Sequence, residues 1–240
     1  MSGLTLQPAY ALHNRRYRES SLIVDFLTRD HGRIALMVKG ATSGKSARQN
    51  LIQPFIPVLI AWRGRGDLPT LTTIEAASHV PRVLGKTLYC GLYVNELILK
   101  LTERNETHSE LFPVYAACLQ DLLDADQDNK LLEPALRRFE VRLLEELGLG
   151  MCLLHDQQGV PITAAEHYHY DFMGGPVLNA KTENSVSGET LMALARGEFN
   201  STQQMREARH LMRRVITHYL GGRQLKSREL FRGTGTSRKD

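Results

Sequence analysis

The segment that decides the fold reads SLIVDFLT at residues 21–28 and is followed by RDHG at residues 29–32. Apolar residues alternate along this segment, which places Leu22, Val24 and Phe26 on one face of a strand. The other face is partly apolar too, as expected for a strand that is covered on both sides. Residues 29–32 supply a turn, and apolar residues alternate again from 34 to 38, which predicts a β-hairpin.

Three further strands complete the N-terminal region. They are predicted around Tyr10 to Asn14, from Phe55 to Trp62 and from Thr70 to Ala77. Five short strands suit a small closed barrel such as an OB-fold, because a sandwich usually needs about seven or more. The intervening stretch Gly40–Asn50 is small and polar apart from its cations, so we predict a flexible loop there.

After Pro81 the spacing of apolar residues changes from two to 3.6, which predicts helices. The last long apolar stripe lies on a helix predicted at residues 202–219. The four arginines of this helix lie largely off its core face; they are Arg206, Arg209, Arg213 and Arg214. Residues 150–185 are irregular and contain one hairpin, in which Tyr168, Tyr170 and Phe172 alternate.

The predicted fold class is therefore α+β, with an N-terminal five-stranded OB-fold β-barrel and a mostly α-helical C-terminal domain. The barrel domain covers residues 1–80 and the helical domain residues 81–240. The helical domain includes the small irregular hairpin region at about 150–185 and a basic C-terminal tail.

The composition indicates a soluble cytoplasmic protein. Hydrophobic residues make up 42% of the chain and charged residues 23%, as in soluble globular proteins. No apolar run approaches the ~20 residues that span a bilayer, and the N-terminus lacks the pattern of a secretion signal. The three cysteines are widely spaced and form no CxxC, which favours buried thiols in a reducing compartment; they are Cys90, Cys118 and Cys152.

The net charge of +4 conceals three unlike segments. Residues 1–80 carry ten Lys/Arg against five Asp/Glu, residues 81–200 ten against eighteen, and residues 201–240 ten against three. Basic ends around an acidic middle favour a polyanion-binding protein with a distinct central body. Ordinary clustering of surface charge is the alternative on charge alone.

No catalytic centre emerges from the sequence. Gly44-Lys45-Ser46 resembles the end of a phosphate loop, but a Walker A motif needs a glycine at position 39, which is Lys39. His167 and His169 share a strand face but lack neighbouring ligands apart from His155, so two solvent-facing histidines are the simpler interpretation. We therefore predict no enzyme, no cofactor and no metal.

The cations of the barrel gather where a barrel presents its loops. A single-strand site needs cations along the phosphates and aromatic faces for the bases, and Tyr17 and Trp62 lie next to such cations. Trp62, the only tryptophan, has the alternative role of closing the barrel core. The predicted DNA-binding residues of this region are Arg15, Arg16, Arg18, Arg33, Lys39, Lys45, Arg48, Arg63 and Arg65.

A second cationic cluster follows the last long helix and comprises Arg223, Lys226 and Arg228, together with Arg232. Two polyanion surfaces on one protein would bring two strands together. The sequence leaves open whether this cluster acts with the barrel or binds a second strand.

The chain resembles the RecO family of bacterial DNA repair proteins over nearly its whole length. The resemblance is carried by the order and spacing of short motifs: SLIVDFLT at 21–28, Gly32-Arg33, VKGA at 38–41, QPF at 53–55, YCGLYVNEL at 89–97, PALRRFE at 134–140, Leu147-Gly148 and LKSREL at 225–230. It implies an N-terminal OB-fold, a helical C-terminal domain, and binding to single- and double-stranded DNA. It also implies partnership with RecR and with the acidic tail of the single-stranded DNA-binding protein (SSB). Family members anneal complementary strands and help load RecA onto SSB-coated DNA in the RecF pathway, without nucleotide hydrolysis.

One departure concerns zinc. Many family members carry a four-cysteine zinc site after the Leu-Gly motif, whereas no cysteine follows Cys152 here. The resemblance then indicates the zinc-less branch, in which the SSB tail docks on the helical domain. A tail that ends in acidic residues and Phe needs an apolar pocket edged by a cation, which singles out Leu136, Arg137 and Arg138. The alternative is that these arginines pair with Glu140, Glu145 or another helix.

The predicted function is that of a DNA repair and homologous recombination mediator in the cytoplasm, associated with the nucleoid. An OB-fold RNA-binding or translation accessory protein is the alternative among binding proteins. A nuclease or hydrolase that uses the histidines is the alternative from another class.

Overall fold

The computed structural model of the protein describes residues 5–41, 47–78, 83–125, 128, 130–179 and 182–232. The chain divides into two compact units, Met1–Leu119 and Gln120–Asp240. The first unit therefore takes in helical residues beyond 80. The domain boundary predicted near residue 80 marks the change from strands to helices and stays a prediction about domain organisation.

The first unit is built on a closed five-stranded barrel, which confirms the predicted OB-fold. Its strands follow one another in the hydrogen-bonded order β1-β2-β3-β5-β4. They are β1 (Gln7–Tyr17), β2 (Ser21–Thr28), β3 (Gly32–Val38), β4 (Pro57–Arg63) and β5 (Thr70–Ala76). All neighbours are antiparallel except β3 and β5, which pair in parallel at Met37 and Thr70.

The segment that decides the fold is covered on both faces, as its apolar pattern predicted. All eight residues of β2 are buried. One face points into the barrel core, whose fully buried members include Val24, Phe26, Leu36, Val38 and Ile60. Part of the predicted loop Gly40–Asn50 is instead the short helix α1 (Ala47–Leu51), which is followed by the buried Ile52. Leu51 and Ile52 belong to the barrel cluster, so burial of apolar surface holds this turn of helix in place.

Helix α2 (Gly85–Leu101) packs on the barrel through a small residue and a polar network. Gly91 faces the ring of Phe55, and a methyl group there would come within 2.7 Å of Phe55 Cε1. Asn95 Nδ2 donates to the carbonyl oxygen of Leu12 at 2.9 Å, and Tyr115 donates to Asn95 Oδ1 at 2.7 Å. Because these polar groups are buried, their hydrogen bonds fix the helix at one position against β1.

The remaining helices are α3 (Leu111–Asp124), α4 (Leu132–Glu146), α5 (Gly188–Arg196), α6 (Thr202–Tyr219) and α7 (Ser227–Arg232). The predicted hairpin is formed by β6 (His167–Asp171) and β7 (Gly175–Leu178), and β8 (Val186–Ser187) pairs with the other side of β6. Tyr168 and Tyr170 enter the core of the second unit together with Leu144, Leu191 and Met212. None of the helices in the described ranges is both long enough and apolar enough to cross a membrane.

Candidate nucleic-acid interface

The strand order of the barrel connects three turns that are far apart in the sequence. Arg16 pairs with Leu22, and Leu22 pairs with Val38, which precedes Lys39. The neighbouring Met37 pairs with Thr70, and Thr70 pairs with Arg63. The end of β1, the end of β3 and the β4–β5 turn therefore follow one another in hydrogen-bonding order along one edge that winds around the closed barrel. Because the strands of a closed barrel are staggered, this edge ends beside the start of β1, where Ile60 pairs with Gln7.

Six cations occupy this edge, and all six are exposed. We call them the cationic edge; they are Arg15, Arg16, Arg18, Lys39, Arg63 and Arg65. Within the described part of the chain, none of them forms an ion pair. Their charges are thus open to a ligand. Lys45 and the phosphate-loop-like Gly44-Lys45-Ser46 lie outside the described residues, as does the side chain of Arg48.

The two aromatic candidates for base stacking are only half-buried. The guanidinium carbon of Arg18 lies 5.3 Å from the centre of the Tyr17 ring. Trp62 packs against the barrel core and meets the ring of His31 edge-on, with 5.2 Å between ring centres. Trp62 thus takes part in the core, the alternative role that the sequence left open, while part of its surface stays accessible.

Arg33, predicted to bind DNA, lies at the start of β3 and is only 9% exposed. Its guanidinium pairs with Asp25 at 3.2 Å and donates to the carbonyl oxygen of Thr102 at 2.7 Å and to Thr102 Oγ1 at 3.0 Å. Burial lowers the pKa of Arg33, against the opposing effect of Asp25. Arg104 approaches the same Asp25 carboxylate at 3.0 Å. Since the donors of Arg33 are used inside the protein, we remove it from the interface.

The C-terminal cluster lies in the second unit. Arg223 and Lys226 are exposed, whereas Arg228 is half-buried at the start of α7. Arg223 Nε donates to the carbonyl oxygen of Leu220 at 2.9 Å, so part of its donor capacity is already used. The cluster is a smaller cationic surface than the cationic edge.

The three residues predicted to hold the SSB tail differ in accessibility. Leu136 and Arg137 are each 7% exposed, and Arg137 pairs with Glu140 at 2.6 Å. The side chain of Arg138 is 41% exposed; it pairs with Asp121 at 2.8 Å and donates to the carbonyl oxygen of Gly197 at 3.3 Å. Leu136 and Arg137 are therefore inside the second unit, and Arg138 is the accessible cation of the three.

The described residues contain no group of three or more His, Cys, Asp or Glu side chains arranged to hold a metal ion. Cys90 and Cys118 are buried, while Cys152 is exposed, contrary to the prediction of three buried thiols. Cys152 Sγ donates to the carbonyl oxygen of His155 at 3.1 Å. His167 is half-buried and His169 exposed on β6.

A closed five-stranded barrel with an exposed cationic edge, followed by a helical region, defines the class as an OB-fold protein with a helical C-terminal region. Comparison with known sequences then identifies the family. A model described as "Recombination protein O N terminal" matches residues 1–79, and one described as "Recombination protein O C terminal" matches residues 85–229. The chain belongs to the RecO family.

Curated relatives agree with this assignment over nearly the full length. The DNA repair protein RecO of Methylococcus capsulatus is 42% identical over 97% of this chain and 95% of its own. That of Nitrosococcus oceani is 42% identical over 99% and 98%, and that of Halorhodospira halophila 43% identical over 97% and 98%. Membership of this family gives the protein a role in DNA repair and recombination.

Proposed function

We propose that this protein binds single- and double-stranded DNA, anneals complementary strands and, with RecR, helps to load RecA onto SSB-coated single-stranded DNA. It acts in the cytoplasm, at the nucleoid, as a mediator rather than an enzyme. The observation that carries the proposal is the cationic edge, where three turns from different parts of the sequence present exposed cations that form no ion pair with any described residue.

The cationic edge suits a DNA backbone because its charges follow one another along paired strands. Neighbouring strands lie about 4.8 Å apart, a step of the same order as the ~3.4 Å between successive phosphates of one strand along the duplex axis. Six exposed cations that form no ion pair within the described residues can neutralise several phosphates, and the half-exposed Tyr17, next to Arg18, adds an aromatic surface beside them.

Annealing follows from neutralisation of charge and needs no catalytic group. Two complementary strands repel each other through their phosphates, and cations that bind both backbones lower that repulsion. The C-terminal cluster of Arg223, Lys226 and Arg228 offers further charge in the second unit.

For the SSB tail, we propose Arg138 as the cation that meets the terminal carboxylate, in place of Arg137. Leu131, which is 51% exposed, is the N-cap residue of α4 and lies seven residues before Arg138, or about 10.5 Å along the helix axis. An apolar side chain and a guanidinium at this distance fit a tail that carries a Phe ring beside carboxylates.

The test of DNA binding compares Arg63→Ala/Arg65→Ala with a control that removes the same charge. Arg29→Ala/Arg142→Ala is suitable, because both arginines are exposed and already paired with Asp30 and Glu145. We expect the edge variant to bind single-stranded DNA about tenfold more weakly, with a salt slope shallower by about 1.4 at ~0.7 per phosphate contact. Annealing of complementary oligonucleotides should slow in parallel, while the control stays close to the parent protein.

Further arms of the same experiment separate the alternatives. Preference for RNA over a matched DNA strand would favour an RNA-binding protein, and metal-dependent cleavage would favour a nuclease. An affinity that does not change with salt would overturn the electrostatic basis of the proposal.

The SSB arm uses a labelled acidic peptide that ends in Phe. Arg138→Ala should weaken its binding about tenfold, since the site is half-exposed and the loss of a charge partner is partly screened. Arg142→Ala, one turn further along α4, should leave it unchanged. Equal affinities for both variants would place the tail elsewhere.

A further inference from the structure

Helix α6 presents a second cationic surface. Its sequence contains four arginines, two histidines and a single acidic residue, Glu207. Successive turns bring Arg206, His210, Arg213 and Thr217 onto one face, because residues three and four apart are neighbours on a helix. Arg214 and His218 flank them. We call the five basic residues the α6 cationic face; they are Arg206, His210, Arg213, Arg214 and His218.

Two cavities run along this face. The first, of about 260 Å³, lies between α6 and the segment 182–186, and its lining includes Arg206 and His210. The second, of about 530 Å³, lies between α6 and Phe172, and its lining includes Arg213 and His218. They share His210 and Arg214, so they form one continuous concave strip beside the helix.

The acidic residue of α6 does not cancel this charge directly. Glu207 Oε2 accepts hydrogen bonds from Ser187 N at 3.0 Å, Ser187 Oγ at 2.7 Å and Thr190 Oγ1 at 2.8 Å, at the start of α5. Burial by itself raises the pKa of Glu207, but these hydrogen bonds outweigh burial and lower it. The carboxylate is thus turned toward the start of α5. Glu183, exposed in the facing segment, is the other acidic residue that lines the strip.

Two of the basic side chains are held in position by Phe172. The imidazole of His218 stacks on the Phe172 ring with 4.7 Å between ring centres, and the guanidinium carbon of Arg214 lies 5.6 Å from the centre of that ring. Arg214 also donates to the carbonyl oxygen of Asn184 at 2.9 Å. Because Phe172 is already engaged by these groups, it serves as a support for them rather than as a platform for a base.

We propose that the α6 cationic face is a second DNA site that binds the sugar-phosphate backbone without reading or stacking the bases. The inference rests on the proposed function and deepens it, because it gives the second strand a surface separate from the cationic edge. From Arg206 to His218 the helix rises about 18 Å, which matches about five phosphates of a duplex strand. A backbone site of this kind accepts duplex and single strand alike.

The chemistry of the strip favours a nucleic-acid backbone over the other polyanions and over small ligands. Small-molecule pockets are predominantly apolar with few polar groups, whereas this strip is lined mainly by charged and polar side chains. The repeated positive charge at helical spacing matches a ligand with repeated negative charge. An acidic protein segment is the outcome against which the experiment discriminates.

The experiment compares Arg206→Ala/Arg213→Ala with Arg209→Ala/Arg142→Ala in the full-length protein. Arg206 and Arg213 are exposed residues of the strip, while Arg209 and Arg142 are exposed but pair with Glu133 and Glu145 outside it. The probe is a short fluorescent DNA duplex, with anisotropy read over a series of salt concentrations. We expect the strip variant to bind about tenfold more weakly, with a slope shallower by about 1.8 at ~0.9 per contact. Its annealing rate should fall, and the control variant should match the parent protein.

The outcomes separate this inference from the proposed function. If the parent protein binds no DNA, the proposed function fails. If Arg63→Ala/Arg65→Ala weakens DNA binding but Arg206→Ala/Arg213→Ala does not, the proposed function stands and the α6 site is overturned. Loss of binding to an acidic peptide, with duplex affinity unchanged, also overturns it and assigns the strip to a protein partner.

Discussion

Arginine has opposite roles in two regions of the same barrel. Along the cationic edge, Arg63 and its neighbours extend into solvent without ion pairs in the described part of the chain. Around Asp25, Arg33 is almost fully enclosed and uses its donors on a carboxylate and on Thr102. The exposed arginines leave their charge available to a ligand, whereas Arg33 forms its ion pair and hydrogen bonds inside the protein.

The difference shows that the cost of burial decides the role of a charge. A guanidinium loses water on burial and must recover that free energy from specific partners, which Asp25 and Thr102 supply. An exposed guanidinium keeps its water and contributes little to stability. Substitutions in the two regions should therefore change different measured quantities.

The largest expected effect is on folding. Replacing Arg33 with Met should lower the free energy of unfolding by about 3–5 kcal/mol, because among the described residues Asp25 then keeps only the half-exposed Arg104 as an ionic partner. Urea denaturation measures the loss, and Arg63→Met is the matched control, with an expected change within about 0.5 kcal/mol. Equal effects of the two substitutions would abolish the distinction between the regions.

The next effect concerns two glycines in turns of the barrel. Gly32 has φ +60°, and a methyl group there would overlap the carbonyl oxygen of Glu106. Gly32→Ala should cost about 2–4 kcal/mol, from the left-handed backbone together with overpacking. Gly66, in the turn of the cationic edge, has φ +86° and no neighbour within 4 Å of an added methyl group. Gly66→Ala should therefore show the backbone term alone, about 1–2 kcal/mol, in the same denaturation experiment.

A smaller effect belongs to a single cation of the edge. Lys39→Ala should make the log–log salt slope of single-strand binding shallower by about 0.7, the value for one phosphate contact. Its unfolding free energy should stay within about 0.5 kcal/mol of the parent protein, because Lys39 is exposed. A marked loss of stability in this variant would show that Lys39 supports the fold as Arg33 does.

The last prediction is that removal of metal has no effect on stability. The second unit is predicted to fold without metal, so a chelator should leave the melting temperature of the parent protein unchanged. Buried Tyr168 and Tyr170 supply its hairpin with apolar anchors. Stoichiometric zinc in protein purified without a histidine tag, together with a lower melting temperature after chelation, would contradict this prediction.

The sequence by itself determined the elements and the class of fold. The period-two pattern of residues 21–38 predicted the hairpin that begins the barrel, and the change to a 3.6 period after Pro81 predicted the helices. These patterns are reliable because the side-chain direction repeats with the backbone geometry itself. The short helix Ala47–Leu51 was not predicted, because so short a helix depends on packing against the barrel rather than on its own propensity.

Only the tertiary structure decided which cations face solvent. Arg137 and Arg138 are adjacent in sequence, yet they point in different directions from α4, one to the buried Glu140 and the other to Asp121. Arg33 meets Thr102, 69 residues away, through the packing of the chain around the barrel. The cationic edge likewise depends on the strand order, which links Arg16, Lys39 and Arg63 through successive pairs of strands around the closed barrel. The physical reason is that local periodicity sets the direction of a side chain, whereas its burial and its partners depend on segments distant in the sequence.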